Sequence, residues 1–387
     1  MPRPRVLLAL TVYDGRAFVP AALESIARLE PATCDVDVLV LDDASPDPGW
    51  SEELAAHCAR LELGYYRTPR NLGIVRNCNL GLLRSRQQGY EYCLLANSDV
   101  LYSTTALDAL IAAARSDPAI GSVTAWSTNV SVYSLTNDDP DRYVNDVPTV
   151  DAVGSALSTE FADEAVDVPT GIGFCFLVTA EALETVGLFD PVFRRGYCEE
   201  NDWCLRSLAL GYRTTLAPGA FVYHAGRGSM IAAGVLTGHQ TTLPANEAVI
   251  DLRYPGFRGS VTEFMAAPVL DDLRERGSRA IVSAAAAQHG YEVDLSWLRR
   301  AGEHGARVRV RVDPDGRAPV VSADWRGFRM PVLVTDEPLA AAIRSTFGGD
   351  PGALTVHDRG RHRDALVEEF GKVGVPTRVA TAYPERV

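Results

Sequence analysis

Compact apolar runs alternate with amphipathic stretches along the first hundred residues. Arg5 to Val12 (RVLLALTV) is a nearly unbroken apolar run ending at Tyr13-Asp14-Gly15, which predicts a buried strand leaving the core through a turn. Pro20 suits a first helical turn, and Val19, Ala22, Leu23, Ile26 and Leu29 fall on one helical face. The same alternation continues with a strand over Val36 to Leu41, a helix over Trp50 to Leu61, a strand near Leu63 to Arg67, a helix after Gly73 and a strand over Tyr92 to Ala96. Strand and helix in turn predict an α/β fold around a mostly parallel sheet with both faces covered. Ligands of such sheets bind beyond the carboxyl ends of the strands. Chemistry is therefore expected at Thr11 to Asp14, at Asp42-Asp43 and at Asn97-Ser98-Asp99.

Later stretches read differently. Ser127 to Pro169 is rich in Asn, Asp, Thr and Val with few helical signals, so irregular loops and short strands are expected, in a region able to form a flap. Beyond about Ser278 the chain has no cysteine, an Arg-rich patch, and strand-like runs at Val308 to Val312, Met330 to Val334 and Thr377 to Thr381. This predicts a smaller α/β appendage over 278–387, after a first domain over 1–277. At 387 residues, two units are the default.

Composition narrows the class. With 47% hydrophobic and 22% charged residues the chain is an ordinary globular protein. No stretch approaches the roughly 20 apolar residues of a membrane span, and the start runs directly into a strand, so no transmembrane segment and a cytoplasmic location are expected. Seven cysteines, all at or before Cys204 and without a C-x-x-C pair, predict reduced, mostly buried thiols. A formal net charge of −13 opposes nucleic-acid binding. An anionic substrate would need local neutralisation.

Several short patterns can carry chemistry, each beside a plainer structural role. Carboxylates in Asp42-Asp43-Ala44-Ser45-Pro46-Asp47 can accept from a base N–H or a ribose hydroxyl, or cap a turn. Asn71-Leu72-Gly73 and Arg76-x-x-Asn79 open the third helix, where N–H groups and an arginine can hold a diphosphate or merely cap the helix. Asn97-Ser98-Asp99 places a carboxylate at a strand end, suited to a hard divalent cation. Cys198 to Trp203 (CEENDW) clusters acids beside apolar residues, giving either a general base or an acidic helix N-terminus. His224 closes the apolar run Ala220 to Tyr223, where its imidazole can ligate a metal or serve the structure.

Taken in order, LTVYDGRAFVPAALESI, VLDDASPD, NLGIVRNCNLGL, LLANSDVLY, GFCFLVTAEALETVGLFD, GYCEENDWCLR and FVYHAGRGS resemble the family 2 glycosyltransferases of the GT-A fold. The resemblance covers roughly the first 270 residues. It implies a GT-A type nucleotide-binding sheet and a metal-dependent inverting transfer of sugar from a nucleotide-sugar donor, UDP- or dTDP-linked, to a glycan or small-molecule hydroxyl acceptor. Thr11, Tyr13, Asp42 and Asp43 are implied as base and ribose contacts, with Asp43 nearest the pyrimidine. Asn71, Arg76 and Asn79 join them on the diphosphate side. The family's Asp-x-Asp motif falls on Asn97-Ser98-Asp99, with Asn97 and Ser98 on the nucleotide side and Asp99 as metal ligand. His224 is implied as the second ligand, and diphosphate oxygens and waters would complete an octahedral Mg2+ or Mn2+ site. The general base maps on Glu200, with Glu199 and Asp202 as alternatives. The segment Asp251 to Gly256 is similar to the tail of members that build bacterial polysaccharides, rhamnosyltransferases among them.

Two rivals stand beside this expectation. A dinucleotide-dependent oxidoreductase would need a G-x-G-x-x-G turn after the first strand, and none is present. A catalytically silent scaffold of the same fold is opposed by Asp99, Glu200 and His224 occurring together. The appendage is open to an acceptor-binding, homodimer-forming or bracing role.

Overall fold

A computed structural model describes residues 2–136, 145–226, 243–295, 307–312, 321–332, 338–356 and 363–379. The chain divides into two compact units, Met1–Leu135 with Asp146–Asp271, and Thr136–Asn145 with Asp272–Val387.

The first unit is built on β1 (Arg5–Val12), α1 (Val19–Ala27), β2 (Asp35–Asp42), α2 (Pro48–Arg60), β3 (Gly64–Arg67), α3 (Ile74–Gln88), β4 (Tyr92–Ala96), β5 (Val100–Tyr102) and α4 (Ala106–Arg115). It continues through β6 (Ile120–Trp126), α5 (Val147–Phe161), β7 (Val166–Asp167), β8 (Cys175–Thr179), α6 (Ala180–Val186), α7 (Glu199–Ala209), β9 (Arg213–His224), α8 (Leu243–Arg253) and α9 (Phe257–Ala266). Helix α10 (Pro268–His289) contains the expected 277/278 division and leads into the second unit.

The large sheet runs β3-β2-β1-β4-β8-β6-β9-β5. β3, β2, β1 and β4 are mutually parallel, β8 is antiparallel to β4 and β6, and β6 is parallel to β9. This is the mostly parallel, helix-flanked GT-A type sheet that the resemblance implies. The period-2 alternation along β1 divides the core between the two faces. Val6, Leu8, Leu10 and Val12 pack with Leu23 of α1, Trp50 and Leu54 of α2 and Leu110 of α4. Ala9 faces the other way, among Val75 and Leu82 of α3, Leu183 of α6 and Trp203 of α7. Helix α3 approaches so closely that a Cβ on Gly81 would lie 2.7 Å from the Ala9 Cβ. All seven cysteines are free and buried.

One expectation is corrected. Ser127 to Pro169 is not wholly irregular, because α5 occupies fifteen of its residues. The Asp146 carboxylate accepts from Thr149 N as an N-cap, Pro148 sits in the first turn, and Val150, Val153, Leu157 and Phe161 are buried. Its Val, Thr, Ser and Gly content is poor in helix formers, so packing rather than propensity makes it helical. Residues 137–144 of the expected flap lie outside the described residues.

The second unit holds β10 (Tyr291–Leu295), β11 (Val308–Val312), β12 (Val321–Trp325), β13 (Phe328–Val332), α11 (Leu339–Phe347), β14 (Ala353–Val356), α12 (Arg363–Gly371) and β15 (Thr377–Val379). Its sheet runs β13-β12-β11-β10-β14-β15. Strands fall where the three expected runs place them, while residues 333–334 and 380–381 of those runs, and much of the Arg-rich patch, are not described. Among the described residues no helix is long and apolar enough to cross a membrane.

Candidate active site

The sheet register brings the sequence candidates to one edge. Val12 pairs with Asp42, Leu10 with Ala96, and Ala96 with Cys175, so the ends of β1, β2 and β4 meet the start of β8. β5 runs antiparallel to β9 with Val100 opposite His224, and the Ala225 N–H donates to the Asp99 carbonyl at 2.9 Å. The acid that follows β4 is thereby set beside the imidazole that ends β9.

His224 Nε2 lies 3.3 Å from Asp99 Oδ1. Its Nδ1 is 3.3 Å from the Asn129 carbonyl, which can only accept, and an Nδ1–H tautomer would leave Nε2 free to ligate a metal beside Asp99. Phe174 stacks on the ring at 5.3 Å, and Asn97 Nδ2 is 3.5 Å from Nε2. Both Asp99 carboxylate oxygens are buried without a hydrogen-bond donor. A buried carboxylate lacking donors is costly. The pair suits a divalent cation. No group of three or more His, Cys, Asp or Glu side chains is arranged for a metal among the described residues. The other coordination positions would fall to substrate oxygens and water.

Glu200 stands in the first turn of α7, partly accessible, and the Gly173 backbone N–H bonds to its carboxylate. Burial pushes its pKa up to about 7 against the lowering effect of hydrogen bonds from its own and the Gly173 backbone. Glu199 is buried with Oε2 unpartnered, and burial together with the charge of Glu200 holds its carboxyl well above the usual range. Asn201 Nδ2 donates to Thr170 Oγ1 at 2.7 Å, fixing the same turn to the segment before β8. The segment Thr170 to Phe174 thus touches Glu200 through Gly173 and His224 through Phe174.

Asp202, an alternative base in the sequence, has another role. Fully buried, it accepts from Arg206 Nε at 2.8 Å, Arg253 Nη1 at 2.8 Å and Tyr254 OH at 2.9 Å. With both oxygens engaged it ties α7 to α8. Asp202→Ala is expected to lower stability by about 3 kcal/mol, since it removes a buried acceptor shared by three donors and leaves a cavity. Urea unfolding checks this, and a loss below about 1 kcal/mol would contradict the tie.

On the nucleotide side the candidates separate. Asp43, 3% exposed, accepts from Leu72 N at 2.7 Å, Gly73 N at 2.8 Å and Thr68 Oγ1 at 3.2 Å, so it joins the end of β2 to the start of α3. Tyr13 is half-buried beyond β1, Ser98 is buried, and Asn71 and Arg76 are exposed around the start of α3. The Asn71 side chain accepts from Gly73 N at 3.0 Å. The Thr11 hydroxyl donates to the Ala96 carbonyl at 3.3 Å, linking β1 to β4.

Two candidates are engaged by other parts of the protein. Asp42, expected as a nucleotide contact, is fully buried and receives Ser45 N and Oγ on one oxygen and Ser51 Oγ, Tyr65 OH and Arg67 Nη1 on the other. Burial alone would raise its pKa, yet the bonds from Ser45, Tyr65 and Ser51 hold it below the usual value. Its lone pairs are filled, so it braces the turn after β2. Asn79, expected near the diphosphate, gives Nδ2 to the Phe189 carbonyl at 2.9 Å and accepts from Phe189 N at 3.0 Å. Its amide is consumed in holding the loop after α6.

Sequence reasoning gave no role to Asn129, Gly173 or Phe174. Asn129 lies in a polar stretch without periodicity, and its partner His224 is 95 residues away. Only the strand register relates them.

Residues 8–187 match the family described as Glycosyl transferase family 2. No curated protein matches the chain. Among solved structures it is similar to the mannosyltransferase PcManGT from Pyrobaculum calidifontis in complex with GDP-Man and Mn2+, at 18% identity and TM-score 0.44, over 75% of this chain and 76% of that one. It is similar to GalNAc-T7 with UDP, GalNAc and Mn2+ at 14% identity and TM-score 0.49, over 71% of this chain and 54% of that one. For TarS 1-349 of S. aureus the values are 13% and 0.42, over 72% and 80%. Over residues 8–187, somewhat under half of its length, the chain is thus similar to glycosyl transferase family 2.

Proposed function

We propose that this protein transfers one sugar from a nucleoside-diphosphate sugar to an acceptor hydroxyl with inversion at the anomeric carbon. The carrying observation is Asp99, whose two buried oxygens have no hydrogen-bond partner and one of which lies 3.3 Å from His224 Nε2. Asp99 and His224 would hold Mg2+ or Mn2+, which when bound supplies positive charge for the leaving diphosphate. An acidic chain of net charge −13 can bind such an anion in this way. Glu200 accepts the acceptor hydroxyl's proton as that oxygen attacks opposite the departing diphosphate. Its raised pKa suits a base working near neutrality. Asp43 and Tyr13 at the strand ends, with Asn71, Arg76, Asn97 and Ser98, form the nucleotide side, and the Thr11 hydroxyl supports it from within. Mn2+ accompanies nucleotide or nucleotide sugar in two of the similar structures named above.

The test is a thermal-shift panel of UDP, dTDP and GDP, each with Mn2+ or with chelator. At about 100 Kd, a bound nucleotide stabilises by about 2.7 kcal/mol. A shift of several degrees for one nucleotide, only with metal, is expected. No shift with any of them would leave the fold as a silent scaffold.

A further inference from the structure

The loop that delivers the base is held in an unusual backbone. Between the short turn Pro191–Phe193 and α7, positive φ angles occur at Arg194 (52°), Gly196 (104°), Tyr197 (70°) and Cys198 (75°). Glycine adopts this region freely, whereas the other three do so at a steric cost that persists only where the surroundings over-determine the backbone.

Helix α8 provides such surroundings. Asn246, 4% exposed, directs Nδ2 to three carbonyls of this loop, Phe193 at 2.9 Å, Gly196 at 2.7 Å and Tyr197 at 3.0 Å. Two turns on, Arg253 bonds Asp202 within α7 and Asp190 just before the loop, both at 2.8 Å. Positions i and i+7 share a helix face, and Ile250 between them is buried in the same core. One helix face therefore grips the loop ahead of the base and the helix that carries it. Asn246 lies beyond residues 8–187, so the family match does not account for it.

We propose that Asn246 is a positioning residue for the transfer reaction: its amide locks the loop 193–198, four of whose residues have positive φ, and so sets the direction in which α7 presents Glu200. This rests on Glu200 as the proton acceptor. Displacing a catalytic group by about 1 Å costs on the order of 100-fold in rate, so a released loop would reach turnover without touching the nucleotide.

The experiment compares Asn246→Ala, Asn246→Asp and Asn246→Gln in the full chain. Aspartate keeps the shape but cannot donate, while glutamine keeps the donors one methylene further out. Turnover is read as nucleoside diphosphate released from the best of a panel of UDP-, dTDP- and GDP-linked sugars with Mn2+. Alanine and aspartate should lower it about 10- to 100-fold, glutamine less, with the Kd of the free nucleotide unchanged within about twofold. Placed in a Glu200→Gln background, Asn246→Ala should cost less than about twofold more, because it acts through a group already removed. Full multiplication of the two defects, or loss of nucleotide affinity in step with turnover, would overturn the proposal. Hydrogen exchange gives an arm independent of donor. Amides 193–204 should exchange at least about tenfold faster in the alanine variant while those of β1 do not change, and unchanged exchange also overturns it. Wild-type turnover in Glu200→Gln, or no turnover of any donor by the wild type, would instead remove the base assignment or the transferase reading and leave the clamp to the exchange result.

Discussion

Glu200→Gln is expected to lower turnover by about 1,000-fold, within the 10²–10⁴ range of general-base removal, while metal-dependent nucleotide binding survives. Glutamine preserves size and the bond from the Gly173 backbone but cannot accept the acceptor's proton. The pH dependence follows from the same burial. Glu200 acts ionised and its pKa is raised to about 7, so wild-type turnover should climb from pH 5 to 7 and flatten above. Because Glu199 stands beside it with a carboxyl held higher still, the apparent midpoint belongs to the pair. The stability sign is opposite. A folded pKa above the ordinary 4.5 means the contribution to stability is fully present below 4.5 and is lost as pH rises through about 7. The site thus gains its base over the interval in which the fold loses part of its stability. A variant that kept wild-type kcat, or a profile flat from pH 5 to 8, would contradict the assignment.

The alternating first half of the fold was legible because each element there carries its own period. β1 reads as a strand from eight residues, and α3 as a helix from Gly73 onward. Helix α5 was not, since Val147 to Phe161 is rich in Val, Thr, Ser and Gly and is made helical by its Asp146 cap and by burial of one face. Its cap signal, Asp146-Val147-Pro148, was present but lay in a stretch dominated by turn formers.

At the site, motif order singled out Asp99, Glu200 and His224 as candidates, and strand register brings Asp99 and His224 together. What local sequence could not show was which polar groups have their valences filled. Asp42 and Asp43 are adjacent acids at one strand end, yet five donors surround Asp42, while Asp43 receives Leu72, Gly73 and Thr68. Among the acids of α7, Asp202 is spent on Arg206, Arg253 and Tyr254, whereas Glu200 meets backbone N–H groups and solvent. The difference depends on partners such as Tyr65 and Arg253, contributed from 23 and 51 residues away.

Asp99→Asn is expected to move binding and stability in opposite directions. The native carboxylate is buried without a hydrogen-bond partner, an arrangement unfavourable until a cation occupies it. An asparagine amide can donate to His224 Nε2 across the same 3.3 Å and carries no charge. The chelator-treated variant should therefore melt higher than the chelator-treated wild type. It should also lose the Mn2+-dependent nucleotide shift, worth about 2.7 kcal/mol at 100 Kd. Stability gained where function is lost is the signature of a site strained for its ligand. Glu200→Gln provides the contrast, since it should keep the nucleotide shift and lose turnover. If both variants lost the shift equally, the division of labour between Asp99 and Glu200 would fall. If Asp99→Asn melted lower without metal, the carboxylate would already be stabilised by its protein surroundings, and the case for a divalent ion beside it would lose its main support.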